Sequence, residues 1–78
     1  MLVKSFIMIK VPILSKRGES LGEAYLNKSN ILYMREWRTE DGRDLTVAYM
    51  IGGKDIIIES SLSDVKYLFN ISCEETKV

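Results

Sequence analysis

One switch of hydrophobic period divides this chain. Between Ile31 and Glu59 the segments 31–38, 45–51 and 54–59 read with a period of two, whereas after Ser61 the apolar residues fall at Leu62, Val65, Leu68 and Phe69. Alternation sends successive side chains to opposite faces of a strand, and a spacing of three to four makes a stripe along a helix. A chain that changes period once, late in its length, is confined to a sheet followed by a helix.

The strands can be read from the same alternation. Residues 3–14 alternate, with Val3, Ile7, Ile9, Val11 and Ile13 on one face. Pro12 lacks an N–H, which predicts that this strand lies at an edge or is bulged there. GEAYLN (22–27) gives a short strand with Ala24 and Leu26 inward, and ILYMREWR (31–38) puts Ile31, Tyr33, Arg35 and Trp37 on one face. LTVAYMI (45–51) alternates cleanly, and KDIIIE (54–59) has Ile56 and Ile58 inward and Ile57 outward. Polar turns separate them: SKRGES (15–20), NKSN (27–30), TEDGR (39–43) and Gly52-Gly53. Asp41-Gly42 between alternating runs predicts a primed hairpin turn, since both residues tolerate positive φ. Ser61 with Asp64 three residues on is an N-terminal capping pattern. The helical stripe ends by Asn70, and residues 71–78 read as a frayed tail. The expected fold is α+β over residues 1–70, a single domain. It is a four- to five-stranded, mainly antiparallel sheet, open or rolled into a small barrel, with one short C-terminal helix.

Both faces of the strands carry apolar residues. Phe6, Met8, Leu32, Met34, Ala48, Met50 and Ile57 form a second set that one short helix cannot cover. The second face is therefore expected to close into a barrel or to meet another copy, with Phe6, Met8 and Ile57 as subunit contacts. The 78-residue length points the same way, because a core this small is marginal without a staple or a partner. Cys73 is the lone cysteine and cannot supply an internal disulfide.

The residue inventory also bears on chemistry. There is no histidine, which removes Ser-His and Cys-His nucleophile activation and most zinc sites. Gly52-Gly53 lies between two strands rather than before a helix, and no Gly-Lys-Ser/Thr follows, so no phosphate loop is expected. Glu40, Asp41 and Asp44 cluster around a hairpin and read as solvated turn acids rather than metal ligands. A non-enzyme without metal or cofactor is expected. Eleven basic and eleven acidic residues cancel, which argues against a duplex-DNA binder held by phosphate contacts. The charge is uneven along the chain: residues 1–38 carry seven basic and three acidic residues, residues 39–78 four and eight. No apolar run is long enough to cross a membrane, and no secretory leader pattern is evident, so a cytosolic location is expected.

The candidate binding residues are Tyr33, Arg35, Trp37, Arg38 and Arg43. In an extended segment Tyr33, Arg35 and Trp37 project together, and an aromatic plane beside guanidinium groups suits a partner protein's carboxylates or a base with its phosphate. The alternative is that the aromatics cover the sheet while the arginines pair with Glu36, Glu40 or Asp44. Lys16 and Arg17 form a weaker basic pair on a loop.

Residues 25–69 carry a partial resemblance. YLN, ILYM, a hairpin, LTVAYMI, a glycine turn, IIIES and SLSDV follow one another as in the small FlbD/SwrD-like proteins of bacterial flagella and swarming, which this segment resembles. The hairpin REWRTEDGRD is longer and more charged than that family's usual link. SNILYM and SLSDVKYLF are also similar to the C-terminal part of LytTR-type DNA-binding domains, which are longer and more basic. The first resemblance implies a non-catalytic regulatory or assembly role. Together these readings give a homo-oligomeric binding or regulatory protein of bacterial or phage type acting through protein contacts. Binding of a nucleotide or short nucleic acid through the Trp37 hairpin is the alternative.

Overall fold

The computed structural model describes the backbone of residues 8–75 and the side chains of residues 8–71. Five strands, β1 (Met8–Leu14), β2 (Ser20–Asn27), β3 (Ile31–Arg38), β4 (Asp44–Met50) and β5 (Asp55–Ile58), precede one helix, α1 (Leu62–Glu75). All neighbouring pairs are antiparallel, in the order β2-β1-β5-β4-β3. The fold is α+β, as expected. The sheet stays open: β2 and β3 are its two edges, and the barrel alternative is not formed.

The three hairpin connections among the described residues use one hydrogen-bond scheme. Ser15, Thr39 and Met50 each donate an N–H to the carbonyl four residues on, at 2.8, 2.9 and 2.7 Å, and each accepts from a glycine three residues on. Those glycines, Gly18, Gly42 and Gly53, have φ of 88°, 90° and 90°, a region in which a side chain is strained. Asp41 has no positive φ, so the 39–43 connection is not the primed two-residue turn that Asp-Gly suggests. The extra residue is accommodated by left-handed Gly42, and Thr39 Oγ1 accepts the Arg43 N–H at 3.0 Å.

Pro12 sits in an interior strand, not at an edge. It can do so because it falls where pairing with β5 runs out. Its carbonyl accepts the N–H of Glu59, just past β5, at 2.9 Å, so the missing N–H costs no ladder bond within β5. A register shift between Pro12 and Leu14, on the β2 side, supplies the expected bulge. A second bulge separates Ile31 from Tyr33: these oppose Met50 and Tyr49, so Leu32 is the extra residue. As a result Ile31 turns to the helix side instead of sharing a face with Tyr33.

The helix covers one face. Val65 and Phe69 pack on Ile9, Val11, Leu26, Ala48 and Ile58, with Ile13, Met34, Met50 and Ile56 at the margin. Each fully buried side chain of this size contributes about 1.5–3 kcal/mol. Ala48 and Met50, grouped with Ile57 in the sequence reading, lie on the opposite face from it. Cross-strand pairing decides this, because Ala48 opposes Ile56 and Val47 opposes Ile57. Ser61 Oγ accepts the Asp64 N–H at 3.2 Å, the expected cap. The helix runs to Glu75, past Asn70, because ISCEE contains no glycine or proline to stop it. On the other face Leu14, Leu45 and Ile57 form a smaller cluster with Val47.

Candidate functional site

The uncovered face has a regular side-chain lattice set by strand register. Tyr33, Tyr49 and Asp55 form one row across β3, β4 and β5, and Arg35, Val47, Ile57 and Leu14 form the next. Trp37 opposes Leu45 in the third. Tyr33 and Trp37 are four residues apart, which is about 13 Å along a strand. Between those aromatic rows lies a groove of about 430 Å³ with Val47 and Ile57 as its floor. Arg35 closes it on the β3 side, and Lys16 with Asp55 on the other, their charged atoms 3.8 Å apart.

The aromatic residues remain accessible. Trp37 is 44% exposed and Tyr33 is 55% exposed, while the Tyr33 and Tyr49 rings stack with centroids 4.5 Å apart. Ile57, expected at a subunit contact, is 9% exposed and forms part of the groove floor. Met8 is exposed on the same side of the sheet, where Tyr25 and Lys10 also lie, with the Lys10 ammonium 6.0 Å from the Tyr25 ring centre. Phe6 lies outside the described residues.

The structure divides the predicted arginines. Arg35 and Trp37 share the groove, and Arg43 approaches Trp37 in a smaller depression beside the 15–19 loop. Arg38 is on the opposite face of β3, where its Nε donates to Asp44 at 2.9 Å. That hydrogen bond pushes the Arg38 pKa up and holds the Asp44 carboxyl below its usual range. Arg43 reaches Glu59 at 3.4 Å and Asp41 at 3.6 Å. Asp41 is also held low, chiefly by the Thr39 hydroxyl that donates to it. The pairing alternative therefore describes Arg38 and, with other acids, Arg43. Arg35 makes no ion pair among the described residues.

Tyr49, Val47 and Asp55 were not singled out from the sequence. Register was the available signal: counting outward from the 39–43 turn places Tyr49 opposite Tyr33 and Val47 opposite Arg35. Among the described residues no three His, Cys, Asp or Glu side chains converge on a metal-sized site. No described helix is long and apolar enough to cross a membrane. The chain matches no protein-family model, and no curated protein or solved structure is significantly similar to it. The resemblance to the FlbD/SwrD-like proteins thus rests on the folding signals that suggested it.

Proposed function

We propose that this is a small non-catalytic binding protein that self-associates and regulates through protein–protein contacts, with the uncovered sheet face as its working surface. The observation that carries this reading is the exposed Tyr33–Arg35–Trp37 row beside an apolar floor. Tyr, Trp and Arg are the residues that most often anchor protein interfaces. The absence of histidine and the neutral net charge support binding over catalysis and over phosphate-driven association. The FlbD/SwrD-like pattern is consistent with a regulatory or assembly role in a bacterial or phage setting, in the cytosol. Light scattering of the purified chain across a wide concentration range tests self-association, and a strict monomer throughout removes that part of the proposal.

One observation favours a second reading. Arg35 and Lys16 offer cations at the two ends of a groove with aromatic rows on either side, which suits the base and phosphate of a nucleotide. Titration of Trp37 fluorescence with nucleotides and short oligonucleotides decides it. A saturable response that Arg35→Ala abolishes favours the nucleotide; no response leaves the protein partner.

A further inference from the structure

We infer that the free edge of β3 accepts an extended acidic segment of a different protein as a sixth strand; this rests on the protein-binding reading above. Hydrogen-bond parity shows which groups are available. Thr39 donates to Arg43, so that pair bonds inward, and bonded pairs alternate along an antiparallel ladder. Trp37–Leu45, Arg35–Val47 and Tyr33–Tyr49 are then the bonded pairs. The N–H and C=O groups of Met34, Glu36 and Arg38 consequently point away from β4, into the space beyond the sheet. No strand among the described residues covers them.

A second copy is a poor occupant of this edge. Pairing β3 with itself about a two-fold axis, with the sheet faces continuous, places odd residues opposite odd and even opposite even. A centre at Arg35 sets this arginine against its own counterpart, and a centre at Glu36 does the same with two carboxylates. Like charges directly opposite are destabilising. Moving the centre to Met34 runs the pairing into the bulge at Leu32, and moving it to Trp37 leaves only the end of the strand.

A different strand has no such conflict. On the outer side Arg35 takes part in a non-bonded pair, the type in which opposing side chains stand closest. Arg35 has no carboxylate of its own within ion-pair distance among the described residues. An Asp or Glu opposite it, with aliphatic or aromatic residues two positions away on each side, meets Arg35, Tyr33 and Trp37 together. Main-chain bonds supply the affinity and this alternate-residue pattern supplies the choice of partner.

The probe is an unbiased library of linear peptides, displayed and selected against the whole chain. Selected peptides are expected to carry an acidic residue flanked at alternate positions by apolar ones. Their binding should slow exchange of the Met34, Glu36 and Arg38 amides and leave those of Tyr25 and Asn27, on the other edge, unchanged. Glu36→Pro removes an outward donor at a position where an edge strand tolerates proline, and should weaken binding at least about tenfold; Glu36→Ala, which keeps the N–H, should not. Arg35→Glu should weaken acidic peptides and favour basic ones. Peptides that bind with equal affinity to Glu36→Pro, or that lack an acid, overturn strand addition while leaving a protein-binding face intact. A selection that yields no peptide overturns strand addition; if nucleotides then shift Trp37 fluorescence, the protein-binding reading falls with it.

Discussion

The Thr46 hydroxyl donates to the Ser60 carbonyl at 2.8 Å from a position with no solvent exposure. This bond ties β4 to the link between β5 and α1, and it satisfies a hydroxyl that is away from water. Thr46→Val keeps the shape and removes the donor, leaving the carbonyl without this partner. The expected cost is about 1–3 kcal/mol, measurable as a lower denaturation midpoint with unchanged slope. Thr46→Ser keeps the bond and should cost less.

The turn at 39–43 makes a different demand. Gly42 has a φ of 90°, where an added Cβ meets no neighbour but the backbone conformation is unfavourable. Gly42→Ala should destabilise by about 1–2 kcal/mol through the backbone alone. Asp41 has ordinary negative φ, so Asp41→Gly should bring no relief of strain, contrary to what a primed turn would give. Thermal melts of the two variants side by side distinguish the turns.

Acid should loosen the same hairpin. Asp44 is depressed by its hydrogen bond from Arg38, and Asp41 by the one from Thr39. A carboxyl lowered on folding adds stability above its unfolded pKa, near 3.9, and loses it as pH falls through the folded value. Stability should therefore fall with decreasing pH below about 4, and Asp44→Asn should flatten part of that fall. Both carboxylates are solvent-exposed, so added salt should shrink the effect. Denaturant titrations across that pH range provide the check.

Trp37 lines three separate depressions of the described surface. Because it is half exposed, Trp37→Ala should cost less stability than the roughly 3–5 kcal/mol of a buried aromatic. Its emission should be that of a partly hydrated indole, open to a soluble quencher. Emission that turns blue and resists quenching as the protein is concentrated would locate a self-association contact at this face; emission independent of concentration would place any such contact elsewhere.

Alternation within single strands revealed the strands and their share of the helix-side core, Ile9, Val11, Ile56 and Ile58, and the change of period after Ser61 revealed the helix with Val65 and Phe69. It could not say which face of one strand continues which face of the next. That depends on register, and register depends on turns whose conformation was misread from Asp41-Gly42. Hence Tyr49 went unnoticed beside Tyr33; the grouping of Ala48 with Ile57 has a separate origin, the β4–β5 register set by the connection at residues 50–54, which alternation alone does not give. Pro12 was legible as an anomaly, but its resolution needed the short length of β5, a tertiary fact. Of the candidate site, the Tyr33–Arg35–Trp37 row follows from period two alone. Arg38 was separable from it by the same count, since it is the neighbour of Trp37 and must face away.

The sheet has a narrow waist. Between β1 and β5 only Ile13–Ile58 and Leu14–Ile57 oppose one another, while every other neighbouring pair is joined along most of a strand. The β1–β2 hairpin and the β3–β4–β5 meander are local units, and α1 bridges them by seating Val65 and Phe69 on both. The helix is thus the rivet of the molecule. Lifting it would let the two halves swing about that waist, so whatever engages the uncovered face is held to one curvature by a helix it never touches.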